Sequence, residues 1–304
     1  MGIIYCLSDK SVEQVNNYFT NSYEYNQWFF RLKTLESCLA KSAEFMANVA
    51  DEELKAESID SFKLHLKAEI VFTFFHSAEA LFSLIIATRE AQVPWVQMRG
   101  IRFKDLCDFI RDKMVAKALT EEEIRYIFYN GIVDDEGKKK LQKSLSFIKE
   151  YLSRMGKIFL ENEAYNEYKH GLRVMNREAG FQIIPEGVAD PKPVMSVAGT
   201  AHIFLHTEEI ARDKKDVYLN VSQVTRTFDY ELFLRLAYMN FELIRSIFDT
   251  RRQKLKHGQA GGEGTVYLYE HANLEELFKE DTSRWFRNSI KYPTSNPEDL
   301  QDKK

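Results

Sequence analysis

Asn166, His170 and Arg173 stand in the stretch YNEYKHGLR at steps of four and three, so on a continuous helix all three would project from one face. That face would carry an amide, an imidazole that titrates near neutral pH and a fixed cation. The set suits phosphodiester chemistry: His170 can move a proton, Arg173 can grip phosphate oxygens bidentately, and Asn166 can orient the imidazole or the phosphate. Lys169 adds a second cation for RNA. The same letters have a plainer use. Lys and His in a last helical turn followed by Gly satisfy the negative end of a helix dipole and its left-handed cap. At 256–258 the triplet returns before a glycine-rich loop, and there it reads as a helix stop. At 169–171 both readings stand, because LRVM can extend the helix to about Asn176, with Gly180 as a later stop.

A second polar stripe lies in an apolar run. Thr73, His76, Glu79 (or its neighbour Ala80) and Ser83 follow helical steps among Phe and Leu, and buried polar groups need partners. His76 and Glu79 are therefore expected to form a supporting network, with the face of Asn166, His170 and Arg173 as supplier. Metal chemistry finds little foothold. Glu167-x-x-His170 is half of a di-iron ligand set without its second half, and His76-x-x-Glu79 has the reverse order. His202 and His206 share one face of an expected strand but lack a third ligand. The three cysteines, Cys6, Cys38 and Cys107, are too scattered for zinc or for a disulfide framework. GQAGGEG, at 258–264, has no Gly-Lys-Ser/Thr and is a linker rather than a phosphate loop. No metal and no cofactor are expected.

The elements that must position these residues are mostly helical. Trp28, Leu32, Leu35, Leu39, Ala43 and Met46 mark one helical face. Residues 58–90 form a second helix, apolar around most of its circumference from Ile70 to Ile86 and so suited to the centre of a bundle. A shorter helix is expected from about Phe103 to Lys117. Thr120 and Glu123 then make a capping box, with Gly131 as the stop. Leu141, Leu145, Ile148, Leu152, Met155 and Phe159 hold a heptad-like stripe on a helix expected to run on into Lys169-His170. Between about 180 and 226 the period changes to alternation, as in Val217, Leu219 and Val221, which predicts a small antiparallel sheet. Leu232, Leu236, Met239, Leu243 and Ile247 return the helical period, and Gly258 ends it. TVYLYEHA, at 265–272, reads as a strand, and YPTSNPEDLQDKK as a disordered tail.

The fold class expected is mainly α: a helical bundle with a small antiparallel β-sheet inserted before the last long helix. The organisation is one domain over 1–304, with the sheet at 180–226 and a loop, short strand or helix and tail at 258–304. With 304 residues, 44% apolar and only 6 Pro, the chain can bury a large core without staples. A net charge of −4 gives no bulk attraction for phosphate backbones, so RNA would need a local patch. The run at 68–87 contains Glu69, His76 and Glu79 and reads as a core helix, not a membrane span. Few cysteines and no signal pattern fit the cytoplasm.

A helical bundle whose late helix carries a polar residue, three others and then His resembles the HEPN superfamily. YNEYKH places Asn166 at the polar position and His170 at the histidine, over a match of about 58–177 and 228–257. The resemblance implies RNA as partner, metal-independent RNA cleavage, and a homodimer in which two copies of the Asn166–His170 helix approach each other. The family's Arg position is Tyr165 here, and members without that Arg are expected to bind RNA rather than cut it. Lys169 or Arg173 would have to replace the cation. The competing expectation is a non-enzymatic interaction module that accepts a partner strand at the edge of its sheet.

Overall fold

The computed structural model describes residues 6–48, 51–55, 58–90, 93–131, 138–161, 165, 174–183, 195–212, 217–257, 266–270, 272–279 and 287–292. The fold is mainly α with one four-stranded antiparallel sheet, in the order β1-β2-β3-β4. The helices are α1 (Asp9–Ser22), α2 (Asn26–Ala40), α3 (Ser42–Asn48), α4 (Glu52–Lys55), α5 (Ile59–Glu90), α6 (Pro94–Gly100), α7 (Phe103–Phe109), α8 (Glu121–Tyr129), α9 (Lys138–Leu160), α10 (Tyr230–His257) and α11 (Leu274–Leu277). The strands are β1 (Val174–Ile183), β2 (Met195–Arg212), β3 (Val217–Thr227) and β4 (Arg287–Lys291). Contacts divide the chain into two compact units. One comprises Met1–Glu36, Ile70–Glu161 and Leu232–Lys279; the other comprises Ser37–Glu69, Asn162–Glu231 and Glu280–Lys304.

The first unit is built around the C-terminal two thirds of α5. Ile70, Phe74, Phe75, Ala78, Leu81, Phe82 and Ile85 are all fully buried, as a helix apolar all round requires. Phe233 of α10 packs against Phe74 and Phe75, and Phe159 of α9 packs against Phe75 and Phe82. All six apolar positions of the α9 stripe are buried. The box at the start of α8 closes in both directions: Glu123 N–H donates to Thr120 Oγ1 at 3.1 Å and Thr120 N–H to Glu123 Oε2 at 2.8 Å. The other oxygen of Glu123 takes the Arg89 guanidinium at 2.6 Å, which pins the end of α5 to the start of α8. The stop of α8 is left-handed at both Asn130 (φ 50°) and Gly131 (φ 76°), the conformation that Asn and Gly tolerate best. Arg251 of α10 donates to the carbonyl of Ile127 and so satisfies that same helix end.

α7 does not continue as a plain helix to Lys117. It passes into a π-helical turn, Ile110–Val115, and Lys117 follows with φ 55°. α9 lies directly against that turn because its contact positions are small. Ser153 donates to the Val115 carbonyl at 3.1 Å, and a Cβ on Gly156 would stand 2.9 Å from Ile110 Cγ2 and 3.1 Å from Val115 Cγ2. Both neighbours are stiff β-branched methyls.

In the second unit the sheet begins earlier than expected and recruits a distant strand. β1 starts at Val174, which pairs with Phe204, and β4 at 287–291 pairs with Ser222–Arg226 of β3. A helix reaching Asn176 is thereby ruled out, since Val174, Met175 and Asn176 are already in the ladder. A β-bulge lies between Glu209 and Ala211. The short helix α3 of this unit is joined to the start of α5 by a stacked pair, Phe45 and Phe62, 5.4 Å apart.

Other departures have local causes. The helix expected across 28–46 breaks at Lys41 into α2 and α3, which rotates the face, so Ser42 is buried and Ala43 exposed. α9 ends at Leu160, with Glu161 in a turn, because the next position of its apolar stripe is Asn162. Residues 266–269 are irregular rather than a strand, since side chains take their backbone groups: Tyr269 N–H donates to Ser144 Oγ and the Tyr267 carbonyl accepts from the Tyr129 hydroxyl. α10 runs to His257, while 258–264 and the tail beyond Tyr292 lie outside the described residues.

Gly156→Val should lower the unfolding free energy by about 1–3 kcal/mol through overpacking, despite replacing a helical glycine. Urea unfolding followed by circular dichroism would show it as a lower midpoint at unchanged slope.

Candidate functional site

Asn166, Lys169, His170 and Arg173 lie outside the described residues. Their neighbour Tyr165 does not. It is helical and 1% exposed, so the residue at the family's Arg position is a buried phenol and not a cation presented to solvent. His76 and Glu79 are both half-buried on α5, while Thr73 on the same stripe is fully buried. Among the described residues no three His, Cys, Asp or Glu side chains are grouped so as to hold a metal ion. Cys6, Cys38 and Cys107 are free thiols.

A buried polar network centres on Ser77, beside His76 on α5. Ser77 donates to the Phe74 carbonyl at 2.8 Å, Asn240 Nδ2 donates to Ser77 Oγ at 3.0 Å, and the Tyr151 hydroxyl meets Asn240 Oδ1 at 2.7 Å. Burial pushes the Tyr151 hydroxyl pKa well up. Every member has a partner, and the chain of bonds links α5, α10 and α9 in one register. Its sequence signal was Asn240, an amide among the inward-facing residues of α10.

A second polar cluster fastens the N-terminal helices. Asp249 accepts from the hydroxyls of Tyr25 (2.6 Å) and Tyr267 (3.0 Å), and Arg245 reaches both Asp249 (3.4 Å) and Tyr267 (2.8 Å). Burial, then the Asp249 bond and charge, push the Tyr25 hydroxyl up to about 12. Arg252 donates to the carbonyls of Thr20 and Tyr23, at the end of α1, and lies 4.9 Å over the Tyr25 ring. All these groups are satisfied within the unit, which is how a strut is built rather than a reactive centre.

The sheet has two contrasting faces, fixed by register and strand alternation. On one, buried Phe204 and Val224 pack together in adjacent strands, with half-buried Val174 against them. His202 lies beside them, 3% exposed, its ring 4.2 Å from Phe228. Burial, followed by the charge of Arg226 on the neighbouring strand, lowers the His202 pKa to about 3. His206 shares this face, as the interval of four requires, but is only half-buried. It lines an open pocket with Glu208, Asn220, Val221, Ser222, Lys291 and Tyr292.

The opposite face is covered at the row of Ala201 and Thr227, both fully buried, and is open and largely aliphatic beyond it. Met175, Leu205, Leu219 and Ile290 are 51%, 54%, 47% and 53% exposed. Half-buried Ile203 and Val221 sit between them, and Tyr292 extends the band with its N–H on the Val221 carbonyl and its hydroxyl on Gln223 Oε1. The rows follow from the ladder: Met175 beside Ile203, Leu205 beside Gln223 and Ile290, Thr207 beside Val221. At roughly 100 Å² for each half-exposed side chain, this patch reaches several hundred Å², the size at which an apolar patch marks a contact site.

No protein-family model, curated protein or solved structure matches this chain.

In the unfolded chain His202 has its ordinary pKa near 6.5, so below that pH the unfolded state takes up a proton that the folded state accepts only near 3. The stability that depends on neutral His202 is therefore full above about pH 6.5 and falls by about 1.4 kcal/mol per pH unit on acidification toward 3. Urea midpoints measured from pH 7 to pH 4 should show this slope in the wild type and a shallower one in His202→Gln.

Proposed function

We propose that the chain is a protein-interaction module and that the open aliphatic face of its sheet is where the partner docks. The observation that carries this is the grouping of Met175, Leu205, Leu219 and Ile290, each about half exposed, on one face of one sheet. An aliphatic surface suits another protein's apolar side chains. Single-stranded nucleic acid wants aromatic platforms, and among the described residues Tyr292 is the one aromatic on this band. The face is proposed in place of the edge that the sequence suggests; β4 covers β3 from Ser222 to Arg226, and β1 and β4 are the edge strands.

A photo-crosslinking amino acid placed at Leu205 should yield covalent protein adducts in cells, whereas the same group at exposed Lys33 of α2 should not. No adduct at Leu205 would remove the docking face.

RNA binding is the second reading, favoured by Tyr165: its helical conformation is what the HEPN resemblance requires at the start of YNEYKH. Its burial leaves no cation at the Arg position, so binding without cleavage is the form that fits. Purified protein incubated with single-stranded and transfer RNA in excess EDTA should retard the RNA and leave it intact. Cleavage that His170→Ala abolishes, at matched thermal stability, would instead establish a metal-independent active site.

A further inference from the structure

On the side of the sheet away from the aliphatic band, we infer that the cavity beside His206 is a binding site for a small zwitterion, a dipeptide or tripeptide with both termini free. Three strands build it. His206, Ser222 and Lys291 are paired directly across β2, β3 and β4, and Glu208 and Asn220 form the next row, so all five side chains project from one face. They line one open cavity of about 350 Å³, with Val221 and Tyr292 beside them, a size within the ordinary range for small-molecule sites. Half-buried His206, Asn220 and Ser222 make an uncharged polar floor, and exposed Glu208 and Lys291 stand at the rim. The ladder of β4 stops at the pair of Lys291 with Ser222, so among the described residues the row of Glu208 and Asn220 is open on that side.

The two rim charges select the ligand. Glu208 and Lys291 line the same cavity, yet among the described residues neither makes an ion pair, and no side-chain hydrogen bond engages Asn220 or Ser222. The ladder holds the two charges apart. Lys291 lies two strands from Glu208 and two residues along, about 10 Å by 7 Å, or about 12 Å between backbones. Their side chains shorten that gap to the span of two or three residues of extended peptide, at up to about 3.6 Å each. A simple anion on Lys291 would meet the Glu208 carboxylate, and a simple cation on Glu208 would meet the Lys291 ammonium. A zwitterion answers both, with its ammonium on Glu208 and its carboxylate on Lys291, each through a charge-assisted bond. The peptide group between them then meets Asn220 and Ser222, which offer donors and acceptors alike. Val221 and Tyr292 are the apolar part of the lining, so the termini and backbone of the ligand are recognised more than its side chains.

Titration calorimetry on the full chain at low salt, with dialanine and trialanine as probes, should show saturable binding to one site. Acetylating the amine of the better probe, or amidating its carboxylate, should weaken binding at least about tenfold. In Glu208→Gln the acetylated probe should bind as well as the free one, and in Lys291→Gln the amidated probe should do so. Both side chains are exposed, so the two variants should melt at the wild-type temperature. Four results would each overturn the site: no saturable heat from either probe up to about 20 mM, binding indifferent to both substitutions, blocked probes that bind the wild type as tightly as free ones, or inorganic phosphate that binds through Lys291 where neither peptide does.

Discussion

One helix dictates the helical unit. From Ile70 to Ala87, α5 buries nearly all of its circumference, and by length and composition it is the single described helix apolar enough to cross a membrane. Its apolar window is mostly covered by protein, so the walls around it do the work that lipid would otherwise do. α9 and α10 supply those walls through Phe159 and Phe233, and α8 is tied to its end by Arg89 and Glu123. Apolar contact alone leaves such walls free to slide by a turn. The bonds from Tyr151 through Asn240 to Ser77 remove that freedom, because a slip of any one helix would leave a buried amide or hydroxyl unpaired, at about 1–3 kcal/mol for each group.

The sheet is governed by an asymmetry of its two faces. Phe204, Val224 and His202 are buried on one side, while Leu205 and Ile290 stand in solvent on the other. A strand normally alternates apolar-in with polar-out. Here several outward positions, Met175, Leu205, Leu219 and Ile290, are apolar as well, and their exposed area contributes little to the sheet beyond cross-strand contact. On the proposed reading, that area is kept for contact with a partner.

The helical class and the capping box of α8 were legible in the sequence because period and capping are local signals. So were the six buried positions of α9 and the shared face of His202 and His206. What could not be read depended on distant residues. β4 pairs with β3 although a whole long helix separates them, and five residues reading RNSIK offer little alternation to notice. Ser77 was missed because the partner that gives it a role is Asn240, on another helix. Tyr165 shows the same limit: the spacing in YNEYKH identifies a pattern, but whether its first residue meets solvent or core depends on the packing around it.

The strand order has a consequence for synthesis. β1, β2 and β3 are contiguous in the chain, but the strand that finishes the sheet emerges about sixty residues after β3, a delay of several seconds at ribosomal rates of about 5–20 residues per second. Throughout that interval the β3 edge from Ser222 to Arg226 has no neighbour, and the aliphatic face beside it still lacks Ile290 and Tyr292. A nascent chain at this stage is at its most adhesive. A ribosome that stalls anywhere along α10 would release a three-stranded sheet with an open edge, a template for pairing with other chains.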